Sequence, residues 1–403
     1  MTMFWERWFV PVLVVLAGVL IVNQPNLDRV QRISLFVAVA SVAVFVTWTI
    51  SLRPKHSDSS DGSSREVDYR RAHEALRAVP VSQTGDMPSA RANPAVAYDS
   101  RRDALVLFGG NDKTGGLNDV REWHVSKSWV LRQPTGARDA IDLLLGPWGR
   151  RALVYDSDLG KMLLFVGVEP RPVGQKVVAL EWDSYTAQWI VRTPVSADSP
   201  VVKHFSAVYD TGRKRVVIVG TGGHGPNVDV HVWDWESAAG SWTTRTPVRL
   251  PPSWPPARSE PGAVAYDETS RFVLLFGGRL MNNEFSYDTW TWNGSTGIWT
   301  KREPNPLPSW PNARSLAAAA YDRSRGGVVL FGGWFEGHQF ADAWLWNEAT
   351  SRWLEVSPTD GTAGTWPDAR SGHAFVYIES VRRLAVYGGQ AESRLFNDLW
   401  LVE

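Results

Sequence analysis

Read only as apolar and polar positions, the chain divides into two unlike parts. Residues 8–27 and 33–52 are two apolar runs without a single charged residue. As helices, runs of about 20 residues rise roughly 30 Å, the thickness of a bilayer's hydrocarbon core. The pattern therefore predicts a pair of membrane-spanning helices within residues 1–55. A secretory signal peptide fits less well, because Glu6 sits in the head region and a second apolar run follows at once. Arg29 and Arg32 lie in the short link, whereas Arg7, Arg53 and Lys55 flank the outer ends. By the positive-inside rule this bias places everything beyond residue 55 on the cytoplasmic side of a membrane. Residues 56–71, rich in serine and charge, read as a flexible polar linker.

From residue 72 onward the period shortens to that of strands, and the strands recur in units. Tyr98-Asp99, Tyr155-Asp156, Tyr209-Asp210, Tyr266-Asp267, Tyr321-Asp322 and Tyr377-Ile378 mark six of them, about 55 residues apart. Ten positions after each tyrosine come Phe108, Phe165, Val219, Phe276, Phe331 and Tyr387, each closing an apolar run and each followed by glycine. Such runs, as in VLLFGG, suit a strand covered on both faces, and glycine lets another backbone approach at its end. The aspartates open short polar stretches such as DSRRD and DTGRK, where a carboxylate can accept from the backbone of a tight turn. A third strand carries Asp288, Trp290 and Trp292 in one unit, Asp342, Trp344 and Trp346 in another, and Asp398 and Trp400 in the last. The fourth opens on Trp129, Trp189, Trp242, Trp299 or Trp353 and is followed by proline, which an edge strand tolerates. Four strands per unit and six units predict an all-β, six-bladed propeller over residues 72–403.

The last unit ends after its third strand. Its fourth is expected from residues 72–82, on an alignment that sets Pro80 against Pro358 and Ala75 where the other units have tryptophan. Units two and three depart from the pattern: Val166 and Thr221 each replace a glycine, and Val178 stands where unit four has Asp288. Those two blades are expected to be the irregular ones.

Composition narrows the chemistry. Lys plus Arg and Asp plus Glu both total 42, so no basic excess points to nucleic acid. There is no cysteine, which removes disulfides, thiolate metal sites and cysteine nucleophiles. Nothing in the sequence calls for a metal or a cofactor.

Gly-Gly after an apolar strand, Tyr and Trp at set distances beyond it, and an arginine before the innermost strand (Arg91, Arg150, Arg258, Arg314 and Arg370, with Lys203 once) resemble the kelch-repeat family, including the galactose oxidase central domain. The resemblance covers residues from about 72 to the end. It implies a propeller whose 2–3 loops face one end of the central channel. It does not imply one activity, since such propellers serve as binding modules, adaptors and sugar enzymes. A galactose-oxidase-like radical enzyme is excluded, because that family's cofactor needs a cysteine.

The candidate site residues therefore come from the 2–3 loops: Lys113, Arg171, His224, Arg279, Asn283, Glu284, Trp334, Glu336, His338 and Arg394. Trp334 follows Gly333 in a loop, outside the regular tryptophan positions that read as inter-blade core. His224 and His338 lack the spacing of metal ligands. The regular arginines read as donors to neighbouring backbone carbonyls rather than as collectors of anions. The expected function is a membrane-tethered module that binds or scaffolds a protein or glycan. The alternative is a sugar-processing enzyme of the sialate mutarotase or epimerase type, with a carboxylate such as Glu284 or Glu336 and Arg279.

Overall fold

The computed structural model describes residues 74–403, apart from 126–127, 134–149, 169–174, 194–198, 225–226, 248–249, 304–309 and 359–364. The apolar runs 8–27 and 33–52 and the linker 56–71 lie outside the described residues, within which no helix is long and apolar enough to cross a membrane.

The described residues form a ring of six antiparallel blades. Blade I comprises Ala95–Asp99, Ala104–Asp112, Gly115–His124 and Trp129–Arg132. Blade II comprises Arg151–Asp156, Lys161–Val168, Gln175–Asp183 and Gln188–Thr193, with Val201–Val202 paired beside its third strand. Blade III comprises His204–Asp210, Arg215–His224, Asn227–Glu236 and Ser241–Thr244. Blade IV comprises Ala263–Asp267, Phe272–Leu280, Phe285–Asn293 and Ile298–Arg302, with Arg258–Glu260 added at the end of its second strand. Blade V comprises Ala318–Asp322, Gly327–Phe331, Ala343–Asn347 and Arg352–Glu355. Blade VI comprises Ala374–Ile378, Arg383–Tyr387 and Leu399–Val402, and takes its outer strand, Ala78–Pro80, from the other end of the chain.

The cores lie between blades rather than within them. Six apolar clusters are each shared by two adjacent blades, from I–II round to VI–I. This is why each second strand is apolar on both faces. It also explains the paired spacing of Phe and Trp: the outer-strand tryptophan of one blade meets the aromatic of its neighbour's second strand. Trp189 packs on Phe108 at 5.3 Å, Trp242 on Phe165 at 5.8 Å, Trp353 on Phe276 at 5.3 Å and Trp129 on Tyr387 at 5.3 Å. Edge-to-face and tilted aromatic pairs at such separations add to what area burial contributes.

At the seam Ala78 pairs with Val402 and Pro80 with Trp400, while in blade V Trp353 pairs with Trp346. Ala78, three residues beyond Ala75, thus occupies the place of the outer-strand tryptophan, and the proline-based alignment is shifted. Leu76 restores the lost burial, lying 1% exposed in the core between blades V and VI, with its N–H on the Val356 carbonyl at 2.7 Å. Arg77 exchanges both backbone bonds with Glu403, and the Val81 N–H reaches Leu399. By alternation Pro80 falls in a non-hydrogen-bonded pair, so its missing N–H faces the open edge.

The double glycines serve the ring. Gly332 and Gly333 have φ of 63° and 113°, and the Gly333 N–H donates to the Arg370 carbonyl of the next blade at 2.9 Å. A Cβ on Gly332 would stand 2.6 Å from that same carbonyl oxygen. Gly278 and Gly389 make the equivalent bonds to Arg314 and Arg91.

Blade III is paired without a register shift, contrary to the sequence-based expectation, whereas blade II shifts between its third and fourth strands at Ala179 and Leu180. With valine and threonine in place of glycine, the first two strands of both blades stay in register through Arg151 with Val166 and His204 with Thr221. In blades I and IV the register of the second and third strands shifts at the glycines. Loss of the left-handed kink lets the ladder run on to the channel mouth.

Candidate functional site

The inner strands enclose an axial channel of about 440 Å³ walled largely by alanine and valine, among them Ala97, Ala207, Val264 and Ala319. Its two ends differ. At the end bearing the 1–2 turns, aspartates close the turns: Asp99 accepts the Arg101 N–H at 3.0 Å and Asp267 that of Ser270 at 2.8 Å. The tyrosines beside them stitch each blade to the one before. Tyr209 donates to Asp158 at 2.8 Å, Tyr266 accepts the Gly212 N–H at 3.3 Å, and Tyr98 of blade I accepts that of Ser380 of blade VI at 3.4 Å. Burial raises the Tyr266 phenol to about 12, so it remains neutral. These bonds hold the ring at this end.

The opposite end, bearing the 2–3 connections, is where side chains remain available. Its frame is a repeated carboxylate-arginine unit. Arg314 donates to the Gly332 carbonyl at 3.0 Å and grips Asp342 at 2.5 and 2.8 Å, with its guanidinium 3.8 Å from the Phe340 ring. Arg91 grips Asp119 in the same way at 2.6 and 3.0 Å. In blade IV, Arg258 reaches the Gly277 carbonyl at 2.6 Å and Asp288 at 2.7 Å. The aspartates are completed by indoles: Trp290, Trp344 and Trp400 donate to Asp288, Asp342 and Asp398 at 2.6, 2.7 and 2.7 Å. The expected carbonyl bonds are present for Arg91, Arg258, Arg314 and Arg370, and the Asp of the third strand is their second partner.

Around the mouth, residues in left-handed conformation turn the chain inward: Asn93, Leu316 and Gly372 have φ of 51°, 54° and 59°. Their backbones are linked, Leu316 N–H to Pro261, Gly372 to Leu316 and Asn93 to Gly372, at 3.2, 2.9 and 2.6 Å. This arc joins blades IV, V, VI and I. On its blade IV side Glu260 accepts the Ser315 hydroxyl at 2.6 Å and lies 3.3 Å from Arg279.

The predicted 2–3 residues of blades I, IV, V and VI occupy tight hairpins. Arg279, Asn283 and Glu284 share the hairpin of blade IV. There the Arg279 guanidinium lies 5.4 Å from the Phe285 ring and Asn283 turns the chain at φ 71°. Asn282 donates to the Glu284 carboxylate at 2.8 Å. Trp334 and Phe335 of blade V pack edge-on against Phe285 at 5.2 and 5.1 Å, so the hairpins of these two blades form one ridge. Met281 and Tyr287 stand exposed on it at 45% and 54%. Glu336, at φ 44°, and His338 are exposed at the tip, with His338 5.4 Å from Phe340. Lys113 is exposed in the turn of blade I, and Arg394 of blade VI pairs with Asp368 at 3.0 Å, so neither is tied to the ridge by a contact. Arg171 and the side chain of His224 lie outside the described residues.

Sequence reasoning missed Glu260 and Ser315, which no repeated position marks. It also passed over a second set of tryptophans. Trp254, Trp310 and Trp366 donate to the Val230, Tyr287 and Ala341 carbonyls at 2.7, 2.8 and 2.6 Å, tying each connector to the blade before it, at the third strand or just ahead of it. Their signal was present in SWPPAR, SWPNAR and TWPDAR, each ending on the mouth arginine.

Residues 263–403 match the family model described as the KLHDC2/KLHL20/DRC7 Kelch-repeats domain. Among curated proteins, the chain is 27% identical over 128 residues to a tRNA wybutosine-synthesizing protein 4 of Emericella nidulans, covering 32% of this chain and 12% of that one. It is 28% identical over 159 residues to the flagellar outer-arm dynein alpha chain of Chlamydomonas reinhardtii, covering 37% of this chain and 3% of that one. The chain thus spans only a small part of these relatives. The matched stretch covers blades IV to VI of the six-bladed ring, which are therefore similar to a Kelch-repeats domain.

Proposed function

We propose that this chain is a membrane-tethered scaffold that engages a protein partner through the 2–3 face of its propeller, chiefly the ridge of blades IV and V. One observation carries the reading: Phe285, Trp334 and Phe335 are packed edge-to-face into a fixed, half-exposed aromatic block, with Arg279 on one side and exposed Met281 and Tyr287 beside it. Aromatic residues, Met and Arg are the types enriched at protein interfaces, and a pre-packed block loses little side-chain entropy on binding. The tether rests on the two charge-free runs 8–27 and 33–52. Affinity capture from the source cells should recover a partner with the wild-type chain and lose it with Trp334→Ala, whose fold is checked by its melting curve. Equal recovery with Trp334→Ala would remove the ridge from the proposal. Release of the chain from membranes by alkaline carbonate would remove the tether.

A second reading, a sugar-processing enzyme of the sialate mutarotase type, is favoured by the placement of Glu260 between Arg279 and Ser315 at the channel mouth. Anomeric exchange of sialic acid followed by NMR separates the two. Catalysed exchange that disappears in Glu260→Gln supports the enzyme, and exchange at the spontaneous rate supports the scaffold.

A further inference from the structure

The repeated carboxylate-arginine unit fails in one sector of the mouth, and the failure leaves the cations behind. In blade II the basic residue is Arg150, but the positions that would answer it are Val166 and Val178, paired opposite each other and both at most 1% exposed. In blade III the basic residue is Lys203, and the corresponding pair is Gly220 and His231. The His231 ring is committed to Trp233, stacked at 5.4 Å and 21°. Among the described residues, neither Arg150 nor Lys203 has a carboxylate within ion-pair distance, whereas Arg91, Arg258, Arg314 and Arg370 each do.

These two cations belong to adjacent blades and both stand at the start of the inner strands, on the side of the mouth that the Asn93–Leu316–Gly372 arc leaves uncovered. Arg150 lies within electrostatic reach of Glu260 on blade IV and of His204 on blade III. Glu260 itself makes its close contacts to Arg279 and Ser315. His204, next to Lys203, has a buried Nδ1 without a partner. Burial, then Arg150 and Lys203, hold its imidazole down to about 4, so at neutral pH it is an uncharged ring that adds a donor or acceptor and no further charge.

We propose that the blade II–III sector of the channel mouth is a subsite for a ligand carboxylate, in which Arg150 and Lys203 hold from outside what Asp119, Asp288, Asp342 and Asp398 supply to the other blades from within. A partly buried guanidinium favours a planar carboxylate because two parallel N–H bonds fit it, and the bond gains strength away from water. The subsite is separate from the aromatic ridge and does not depend on it.

The test uses the full chain with N-acetylglutamate as probe and N-acetylglutamine as its uncharged counterpart, followed by calorimetry or by ligand-detected NMR. Saturable binding of N-acetylglutamate is expected, with at least about tenfold weaker binding of N-acetylglutamine. Arg150→Met should weaken the carboxylate probe at least about tenfold while leaving the melting temperature close to wild type, because no carboxylate among the described residues is paired with it. Val178→Asp should compete by returning an internal carboxylate to blade II. If that variant fails to fold, Arg150→Met decides alone. Equal affinity for the two probes, no saturation at tens of millimolar, or unchanged binding in Arg150→Met would overturn the proposal.

Discussion

Arg370 and Asp398 are joined by two hydrogen bonds of 2.7 and 2.8 Å at the mouth of the channel, with the guanidinium completely buried and 4.0 Å from the Phe396 ring. The carboxylate is held below its ordinary range: burial alone would raise it, and the Arg370 hydrogen bonds and charge outweigh that. Removing one member of such a pair strands the other. Arg370→Met is expected to cost about 3 kcal/mol in urea denaturation, whereas Arg150→Met, which strands no carboxylate among the described residues, should cost less than about 1 kcal/mol. Similar losses for the two would mean that the paired and unpaired arginines are equivalent, contrary to the geometry.

The double glycines permit a sharper contrast. Gly332 and Gly326 both have left-handed φ, 63° and 66°, but a Cβ on Gly332 would stand 2.6 Å from the Arg370 carbonyl while one on Gly326 meets nothing within 4 Å. Alanine at 326 pays only the backbone term of about 1 kcal/mol. Alanine at 332 must also push the neighbouring blade away, and a total of about 3 kcal/mol or more is expected. Urea midpoints of the two variants measure the difference directly.

The part of this architecture legible in the sequence is the part that repeats. Tyr-Asp pairs, apolar second strands and paired tryptophans each answer a demand made in every blade, so six weak signals align into one strong one. The turn aspartates and the inter-blade Trp-Phe contacts follow from the same periodicity. What was illegible is what occurs once. Glu260 and Ser315 meet only because the connector into blade IV carries one extra short strand, Arg258–Glu260, and no spacing announces that. The seam misled for a related reason. Pro80 invited comparison with Pro358, but an outer-edge proline is allowed at any non-hydrogen-bonded position, so it does not fix register. Val166 and Thr221 were read as defects, yet each removes a kink and lengthens a ladder.

Acid should weaken the fold through two histidines, the half-buried His204 and the buried His373. Burial, chiefly, lowers His204 to about 4 and His373 to about 3, and both ring nitrogens of His373 are without partners. In the unfolded chain both titrate near 6.5, so below that pH the unfolded state binds more protons and stability falls. The histidine contribution is complete above about pH 6.5 and is lost progressively as pH drops toward 4 and then 3. His373→Leu removes one of these groups together with its unsatisfied nitrogens. It should be near neutral in stability at pH 7.5 and flatten the pH dependence of the urea midpoint between pH 6.5 and 4. An unchanged slope would show that His373 is not carried neutral into the core.

The weakest closure in the ring should be its seam. Only Ala78–Pro80 pairs with Leu399–Val402, flanked by the Arg77–Glu403 exchange and the Val81 bond to Leu399. The other blades present outer strands of four to six residues and, in five of them, a tryptophan where the seam has Ala78. Val79 falls in a hydrogen-bonded pair with Leu401, between the bonds at 77 and 81, so Val79→Pro deletes the central bond, unlike the natural proline one residue on. The change should cost about 3 kcal/mol and bare the backbone edge of Leu399–Val402. An uncovered strand edge is a template for pairing with another chain. Val79→Pro should therefore raise protease sensitivity near residue 80 and produce concentration-dependent oligomers in light scattering. The control Val79→Thr, which keeps the N–H and the β-branched shape, should do neither. Loss of stability without oligomers would mean the freed edge is covered by some other part of the chain, and equal behaviour of the two variants would mean the seam does not hold the ring closed.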